Sequence, residues 1–384
     1  MTAIEDDAVD LVVTSPPYPM IEMWDEVFAR LNPAIDEALG GVSVADEGTE
    51  SDGSGAPAGE PVDRDGSVAP DAAFQKMHDV LETVWAEVAR VLAPGGIACI
   101  NVGDATRSFE DGFRSFPNSA EITNRVTNQG LRALPDILWR KPNNSAAKFM
   151  GSGMLPPNAY PTLEHEYVLV FRNGGTRSFE PGDDDRYESA YFWEERNEWF
   201  SDLWELPGTS QDIEEGLRER SGAFPFILPY RLISMFSVYR DTVLDPFLGT
   251  GTTTVAAAAA GRNSVGYEVD AELRAALDAR MDSVPERSQR VARDRLEQHR
   301  GWIDDRRANG TEPNYDAVHY DVGVTTKQER RIRFRVAEDV SPTEDGYRVV
   351  HRPLQDVRNT DRSGATAADE ATASGEDRGD AGTD

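Results

Sequence analysis

The stretch DPFLGTGTT, at residues 245–253, decides the fold of this chain. It follows a short apolar run at residues 242–244 and opens an alanine-rich run at residues 252–260, so the pattern predicts a strand, a tight turn and a helix. Gly249 and Gly251 let the backbone turn sharply and approach a ligand closely. The free N–H groups at the turn and at the helix start favour a polar or anionic group there.

An acidic residue completes this pattern. Glu268 stands 17 residues after Gly251, at the end of the next predicted strand, residues 264–268. A carboxylate at that place can accept hydrogen bonds from both hydroxyls of a ribose, as in nucleoside-cofactor folds. The glycine pair alone also fits an ordinary turn between a strand and a helix, so the residues by themselves leave both interpretations open.

A second motif stands near the start of the chain. The apolar run at residues 9–14 delivers a loop made of Ser15, Pro16, Pro17 and Tyr18. The two prolines hold this loop extended, remove two N–H donors and leave carbonyl oxygens facing outward. With the Ser15 hydroxyl they form a cup of acceptors that suits an exocyclic amino group, and Tyr18 offers a ring face for an extruded base. A plain surface loop is the alternative interpretation.

Strands and helices alternate along most of the chain. Strands are predicted at residues 9–14, 97–102, 134–139, 167–171, 242–244 and 264–268. Helices are predicted at residues 74–92, 122–131, 229–238, 252–260, 270–281 and 286–304, and a β-rich patch at residues 318–336. The first helix is expected to stop at Pro94-Gly95-Gly96. This alternation predicts an α/β fold with a doubly wound, mixed sheet.

The charge of the chain is unusual for a protein that handles nucleic acid. The formal net charge is −30, and only four of the 39 basic residues are lysines. This combination resembles proteins from haloarchaea, which work in molar salt. At about 1 M salt the Debye length is roughly 3 Å, so repulsion between an acidic protein and DNA phosphates is largely screened. The alternative is an acidic protein that does not touch DNA.

The single cysteine and the lack of targeting signals indicate the compartment. Cys99 lies in the apolar run at residues 97–100, where a small core residue is expected, and one cysteine excludes an internal disulfide. The sequence has no apolar run of about 18 residues and no secretory signal. It has no cluster with zinc-ligand spacing, so no metal is expected, and His165 is expected to be structural. We expect a cytoplasmic protein.

The two motifs occur in an order that is typical of one enzyme family. With Ser15-Pro16-Pro17-Tyr18 first and residues 245–253 late, the chain resembles the β-class (permuted) N4-cytosine/N6-adenine DNA amino-methyltransferases, in a haloarchaeal form. Further similar segments lie at residues 87–96, 101–104, 139–143, 164–171, 224–228 and 231–233. The resemblance covers residues 9–37 and 74–281. It implies a Rossmann-like methyltransferase fold that binds S-adenosyl-L-methionine, with a circularly permuted order of motifs.

The resemblance also implies roles for individual residues. The catalytic set, which would bind the target amino group and the flipped base, is Ser15, Pro16, Pro17 and Tyr18. The set that would bind S-adenosyl-L-methionine is Asp245, Phe247, Gly249, Thr250, Gly251, Thr252, Glu268, Phe224 and Pro225, with Leu228 beside the last two near the methionine end. The amino nitrogen would attack the sulfonium methyl group directly. A 5-methylcytosine enzyme would need a Pro-Cys pair, and Cys99 instead follows Ala98.

The choice of target base depends on one residue. Ser15, preceded by Thr14, resembles the N4-cytosine enzymes, whereas adenine-N6 enzymes more often carry Asp or Asn at that place. Any of these oxygens can accept from an amino group, so adenine N6 stays open. An RNA base methyltransferase is a further alternative, although no RNA-binding domain is appended. A catalytically inactive DNA-binding module is another, but such a module should have lost Gly249, Gly251 or the loop at residues 15–18.

Composition suggests how the chain is organised around these motifs. The expected segments are residues 1–38 and 73–172 as the catalytic half, 39–72 as an acidic disordered insertion, 173–222 as the target-recognition segment, 223–284 as the cofactor-binding half, 285–354 as a C-terminal extension and 355–384 as a disordered acidic tail. A short target-recognition segment suggests a short DNA site. Relatives usually carry more sequence before the catalytic strand than the eight residues found here, which implies a shortened start or a lost strand.

A basic stretch marks the expected DNA face. Residues 125–180 carry seven Arg or Lys residues against four acids, in a chain of net charge −30. The predicted phosphate contacts are Arg132, Arg140, Lys141, Lys148, Arg172 and Arg177. Double-stranded DNA is therefore the expected partner, and a cognate restriction endonuclease is a candidate partner. The stretch SPPYPMIEMW, residues 15–24, resembles archaeal relatives that read the palindrome CTAG.

Overall fold

The computed structural model describes residues 1, 3–40, 68–109, 112–141, 150–151, 155–157, 159–207 and 224–356. The chain divides into two compact units. The first contains residues 1–179 and 199–283, and the second contains residues 180–198 and the chain from Val284 onward. Most of the predicted acidic insertion, nearly all of the predicted tail and Lys148 lie outside the described residues.

The described residues form the following strands and helices. The strands are β1 (Val9–Thr14), β2 (Leu92–Val102), β3 (Ala105–Phe109), β4 (Gly112–Phe116), β5 (Arg132–Ala133), β6 (Ile137–Arg140), β7 (Met150–Gly151), β8 (Ala159–Tyr160), β9 (His165–Arg172), β10 (Leu203–Glu205), β11 (Thr242–Asp245), β12 (Asn263–Gly266), β13 (Tyr315–Asp316), β14 (Gly323–Val324), β15 (Arg335–Pro342) and β16 (Tyr347–Pro353). The α-helices are α1 (Asp25–Leu31), α2 (Pro33–Gly40), α3 (Val68–Val91), α4 (Asn118–Asn128), α5 (Asp184–Glu188), α6 (Trp193–Trp199), α7 (Ile227–Phe236), α8 (Thr252–Ala259), α9 (Arg274–Asp282) and α10 (Val284–Ala308). Short 3-10 helices lie at Glu22–Trp24, Ala271–Leu273 and Glu329–Arg331.

The first unit is built on one mixed sheet. Its strand order is β10-β6-β9-β2-β1-β11-β12, and β5 pairs with β9 beside this path. β1 pairs in parallel with β2 and β11, and β11 pairs in parallel with β12. β9 runs antiparallel to β2, β5 and β6. The predicted α/β fold with a mixed sheet is confirmed.

Helix α3 covers one face of this sheet. Its side chains Met77, Leu81, Trp85 and Val88 recur every three or four residues and are almost completely buried, which is the pattern of an amphipathic helix on a core. Each such side chain contributes about 1.5–3 kcal/mol by leaving water. The helix begins at Val68, so the last residues of the predicted insertion, 68–72, belong to it and that boundary was wrong.

Helix α3 ends at Val91, just before the predicted stop at Pro94-Gly95-Gly96, and those three residues belong to the following strand. β2 begins at Leu92, and its pairing with β1 shifts from Val9 opposite Leu92 to Leu11 opposite Ile97. The intervening residues bulge out, with Gly95 at φ +83°, a value that favours glycine. The Pro-Gly-Gly sequence therefore follows the end of the helix and forms a bulge near the start of β2.

The second unit combines a short inserted segment with the C-terminal extension. Phe192 packs with Leu296, Phe334 and Val336 in a separate core. Arg335 donates hydrogen bonds to Asp185 and Glu188. Residues 180–198 therefore belong with the extension, while β10 belongs to the sheet of the first unit, so the predicted target-recognition segment at residues 173–222 is not one structural element.

The predicted β-rich patch at residues 318–336 forms strands only at β14 and at the start of β15. Among the described residues, no helix is long and apolar enough to cross a membrane.

Candidate active site

The two sequence motifs meet at one edge of the sheet. β1 and β11 are adjacent and parallel, so the SPPY loop (residues 15–18) and the glycine loop (residues 245–253) leave the sheet at the same edge, where α/β proteins bind their ligands. Thr14 Oγ1 donates a hydrogen bond of 2.6 Å to Asp245 Oδ1. Thr253 Oγ1 donates one of 3.2 Å to the Val13 carbonyl. The motifs predicted more than 200 residues apart are thus joined directly.

Asp245 joins the two loops from inside the protein. Asp245 is only 3% exposed. Its Oδ1 also accepts a hydrogen bond of 3.1 Å from the Phe247 N–H. Burial raises the pKa of Asp245 to about 6, against the smaller lowering effect of the hydrogen bonds from Thr14 and Thr253. The carboxyl oxygen that faces the loops is therefore occupied by protein donors, and Asp245 shapes the site by fixing the backbone around it.

The glycine loop has the backbone that its sequence predicts. Gly249 and Gly251 have φ values of +53° and +80°. A Cβ on Gly251 would stand 2.2 Å from Leu277 Cδ1, so α9 packs directly against this turn. The Gly249 N–H donates a hydrogen bond of 2.7 Å to Glu268 Oε2. The predicted ribose-binding carboxylate is therefore held at the loop, and the Glu268 side chain is exposed there.

Arg280 braces the same loop and was not predicted. Its NH1 group donates to Thr250 Oγ1 at 2.9 Å and to Thr252 Oγ1 at 2.7 Å. A longer bond of 3.3 Å reaches the Thr250 carbonyl. Thr250 and Thr252 are buried, so these side chains hold the loop in shape. One of two arginines in α9, it carried no sequence signal of this role.

Polar side chains from distant strands surround the SPPY loop. Ser15 Oγ lies 3.1 Å from the Tyr18 hydroxyl. The Tyr18 hydroxyl donates to Glu166 Oε2 at 3.1 Å. Asn101 Nδ2 donates to both, at 2.8 Å to the Tyr18 oxygen and at 2.7 Å to Glu166 Oε2. Asn101 on β2 pairs with Val168 on β9, and Glu166 lies two residues along β9 on the same face. Neither residue was predicted as a functional residue, although both lie in segments that resemble the family.

Lys141 and burial complete this network. Lys141 Nζ forms an ion pair with Glu166 Oε1 and lies over the Trp139 ring, 4.5 Å from its centroid. Burial, followed by the charge of Glu166, raises the pKa of Tyr18 well above its usual value, so its hydroxyl keeps its proton. Gly103 lies against the Tyr18 ring, because a Cβ there would stand 3.2 Å from the ring. Tyr18 is half-buried and its hydroxyl points into the network.

The chain that leaves the SPPY loop is also fixed. Met20 has a φ of +66°, which is uncommon for a residue other than glycine. Its carbonyl accepts from Arg107 Nε at 3.1 Å, and Arg107 forms an ion pair of 2.6 Å with Asp25. Asn118 Nδ2 donates to the Pro19 carbonyl at 3.1 Å and to the Gly103 carbonyl at 3.0 Å. These contacts hold the loop against β2 and α4.

Three of the predicted cofactor-binding residues are apolar. Phe247 is half-buried and meets Trp85 edge to face, with ring centroids 6.0 Å apart. Phe224 and Pro225 are buried directly before α7. The hydrogen bonds described above place Ser15, Tyr18 and the glycine loop together, and the side chains of Phe224 and Pro225 take no part in that network.

The predicted DNA-binding residues divide between the two edges of the sheet. Arg140 lies opposite His165 where β9 begins, and Lys141 follows it, so both are on the edge of the SPPY loop. Arg132 and Arg172 face each other at the far end of β9, which lies beside the amino end of β2.

Arg177 also lies away from the site. It forms ion pairs with Asp10 and Asp241, at the amino ends of β1 and β11. Because β9 runs antiparallel to β2, its carboxyl end returns to the edge opposite the SPPY loop. Arg132, Arg172 and Arg177 therefore lie at the opposite ends of the strands from Arg140 and Lys141, so the basic stretch does not gather at the SPPY loop, and their contacts with DNA stay a prediction.

Cys99 lies in the core, as predicted, and the structural role expected of His165 stays a prediction. Cys99 is fully buried in β2, and burial raises the pKa of its thiol. His165 packs edge to face on Tyr167, with ring centroids 5.0 Å apart. Neither arrangement offers an activated nucleophile.

The chain is similar to known DNA methylases. A profile described as DNA methylase matches residues 9–277. Type II methyltransferase M.MthZI from Methanothermobacter thermautotrophicus is 45% identical over 337 residues, covering 87% of this chain and 86% of that relative. Type II methyltransferase M.MjaI from Methanocaldococcus jannaschii is 48% identical over 281 residues, covering 73% of this chain and 88% of that relative.

A solved structure is also similar. A candidate DNA modification methylase from Thermus thermophilus, solved in complex with S-adenosyl-L-methionine, is 28% identical with a TM-score of 0.52. The match covers 74% of this chain and 90% of that one.

Proposed function

The chain belongs to the DNA methylase family that acts on N4 of cytosine or N6 of adenine, and we propose that it is a site-specific methyltransferase that uses S-adenosyl-L-methionine to methylate N4 of cytosine in duplex DNA. The observation that carries this proposal is the hydrogen bond of 2.6 Å between Thr14 and Asp245. It joins the loop that suits an amino group to the loop that suits a nucleoside cofactor. Two half-sites on adjacent strands are what direct transfer between two bound substrates requires.

The residues at the glycine loop fit S-adenosyl-L-methionine. Gly249 has open space where a Cβ would stand, since the nearest atom is the Phe247 carbonyl oxygen at 4.0 Å. Glu268 presents an exposed carboxylate for ribose hydroxyls. Val269 beside it is 92% exposed and offers an apolar surface for a purine ring. The first N–H groups of α8 add polar donors.

The chemistry proposed for this site is direct methyl transfer. S-adenosyl-L-methionine supplies an activated methyl group when bound. Ser15 and the loop carbonyls would accept the amino hydrogens of the target base, which leaves its nitrogen lone pair free to react. After the methyl group has been transferred, the nitrogen would release one hydrogen as a proton to water. Tyr18 packs against the base from one side. The protein thus contributes orientation and acceptors, and a cysteine nucleophile has no part in the reaction.

The finer assignments are further parts of the proposal. Ser15 after Thr14 favours cytosine N4 over adenine N6, and SPPYPMIEMW at residues 15–24 favours CTAG as the site. The net charge of −30 with few lysines favours a protein adapted to molar salt. The similarity to Type II methyltransferases supports a place in a restriction–modification system, with a cognate endonuclease as partner.

The proposal is tested by single-molecule sequencing of DNA from a host that expresses the protein. We expect one modified motif, with methyl groups on cytosine N4, and no modification in a host that expresses Ser15→Ala. Methylation of adenine N6 would replace the base assignment. Unmodified DNA from active cultures that contain folded protein would favour an inactive DNA-binding module.

A further inference from the structure

A series of hydrogen bonds connects the Ser15 hydroxyl to the carboxylate of Glu166. Ser15 Oγ contacts the Tyr18 hydroxyl at 3.1 Å, and that hydroxyl contacts Glu166 Oε2 at 3.1 Å. The Glu166 side chain is only 16% exposed, and its other oxygen is paired with Lys141. Asn101 Nδ2 bridges Tyr18 and Glu166. The number of protons that each group carries determines which atom donates in each of these hydrogen bonds.

Counting protons fixes which atom donates at every step. A glutamate carboxylate has no proton and can only accept. The Tyr18 hydroxyl has one proton, which it keeps because burial raises its pKa, and this proton goes to Glu166. The Tyr18 oxygen then accepts from Asn101 and can accept once more. The contact of 3.1 Å between Ser15 and Tyr18 must therefore use the Ser15 proton.

This order of donors determines what Ser15 presents to a substrate. With its only proton directed to Tyr18, the Ser15 oxygen offers lone pairs toward the site. An exocyclic amino group brings N–H donors, which need such acceptors. With the opposite order, a Ser15 proton would face the amino hydrogens and repel them.

We infer that Glu166 is a positioning residue that acts through Tyr18 to keep the Ser15 hydroxyl as a hydrogen-bond acceptor for the amino group of the target base. This inference rests on the proposed methyl transfer to an exocyclic amino group. It assigns Glu166 no contact with the base or the cofactor. Its effect is transmitted by two hydrogen bonds, so it depends on the presence of the Tyr18 hydroxyl.

The test is a pair of variants whose combination should restore activity. Glu166→Ala removes the acceptor, so Tyr18 can donate to Ser15 and turn the serine proton toward the base. We expect the single-turnover rate to fall about 100-fold, the size seen when one oriented polar group of an active site is lost. Adding Tyr18→Phe removes the misdirected donor, and the double variant should recover about tenfold over Glu166→Ala. If Glu166 had only a structural role, the second change would slow the enzyme further.

A conservative variant tests the direction of the bonds separately from the charge. In Glu166→Gln, the amide oxygen should face Tyr18 and Asn101, because both donate, and the amide nitrogen should face Lys141, which is 39% exposed and can turn to water. This variant keeps the order of donors and should stay within about fivefold of the unmodified protein. Glu164→Ala is the matched control, because the Glu164 side chain is half-exposed and pairs with Arg140 outside the network.

The assay follows tritiated methyl transfer from S-adenosyl-L-methionine to PCR-amplified, unmethylated genomic DNA, with binding of both ligands measured for every variant. The inference is overturned if the double variant is no faster than Glu166→Ala, or if Glu166→Gln is as slow as Glu166→Ala. The proposed function fails separately, if the unmodified protein transfers no methyl group to DNA. If the unmodified protein is active but the transfer rates of the variants do not follow the expected order, only the role of Glu166 is refuted.

Discussion

The SPPY loop and the glycine loop lie side by side but are held in place in different ways. The glycine loop owes its shape to local features, namely two glycines at positive φ and the helix that follows the next strand. The SPPY loop is held by side chains from residues that lie 83 and 148 positions away in the chain, Asn101 and Glu166. One loop is therefore specified mainly by its own sequence, and the other by the folded sheet.

This difference indicates which functions can be disturbed separately. Changes at Leu277 or Arg280 in α9 should act on the cofactor, because these two side chains contact the glycine loop. Changes in β2 or β9 should act on the target base. Asp245 is the exception, because it contacts both loops through Thr14 and Phe247.

The largest expected effect concerns Asp245. Burial raises its pKa from 3.8 to about 6 in the folded protein. Between these values the unfolded chain has lost the proton that the folded chain still holds, so the folded state loses stability as pH rises through this window. A difference of this size is worth about 3 kcal/mol. Asp245→Asn should therefore become more stable relative to the unmodified protein by about 3 kcal/mol between about pH 4 and pH 7, measured by urea unfolding.

Asp36→Asn serves as the control for this measurement, since Asp36 is exposed on α2. A stability difference for Asp245→Asn that does not change with pH would contradict the buried link between the loops.

The next effect concerns the local design of the glycine loop. In Gly251→Ala, the new Cβ would stand 2.2 Å from Leu277 Cδ1 in a backbone at φ +80°. Strain of about 1–3 kcal/mol should distort the turn, which corresponds to roughly tenfold to 100-fold weaker binding of S-adenosyl-L-methionine in calorimetry. Adding Leu277→Ala to the Gly251→Ala variant should relieve the clash but leave the strain of the positive φ, so cofactor affinity should recover only in part. Unchanged cofactor affinity in Gly251→Ala would show that the two loops do not differ as described.

A smaller effect is expected from Arg280. Arg280→Met removes two hydrogen bonds to buried threonine hydroxyls, and each such bond contributes about 1 kcal/mol. Cofactor affinity should fall about tenfold while the Michaelis constant for DNA stays constant. Arg274→Met on the same helix is the control, because Arg274 is exposed and pairs with Asp278. If cofactor affinity and the Michaelis constant for DNA changed by equal factors, the two loops would not act independently.

The smallest expected effect is that of salt concentration, which should change the use of DNA but not the binding of the cofactor. Repulsion between DNA and a chain of net charge −30 is screened within roughly 3 Å at about 1 M salt. Transfer to DNA should be several-fold faster in about 2 M KCl than in about 0.1 M KCl, through the Michaelis constant for DNA. Cofactor affinity of the folded protein should change little. Equal or faster methylation in the dilute buffer would contradict adaptation to high salt.

The sequence predicted the features that depend on local pattern. The glycine turn, the SPPY loop and the strands that deliver them follow from apolar runs and from residues with restricted or permissive backbones. Asn101, Glu166 and Arg280 were not predicted as site residues because their partners lie far away in sequence. The order of strands in the sheet, which brings those partners together, is not encoded in any short stretch.

Two expectations about which parts of the chain lie together differ from the structure for one physical reason. Charge counted along the sequence placed Arg177 with Arg140, but an antiparallel strand carries the chain to the opposite edge between them. Residues 180–198 were assigned to the target-recognition segment, but their side chains pack with the chain after Val284, as with Phe192 against Phe334. Composition along the chain could not show which segments would be neighbours.

The position of β1 in the sheet has a consequence for how the protein is made. β1 is synthesised before both strands that flank it in the sheet, β2 and β11, and Thr14 donates a hydrogen bond to a residue 231 positions later. At about 5–20 residues per second, that partner is synthesised on the order of ten seconds or more after β1. The two halves of the site therefore cannot come together on the nascent chain until translation has passed Asp245, and a ribosome that stalls earlier releases a fragment without a methyl-transfer site.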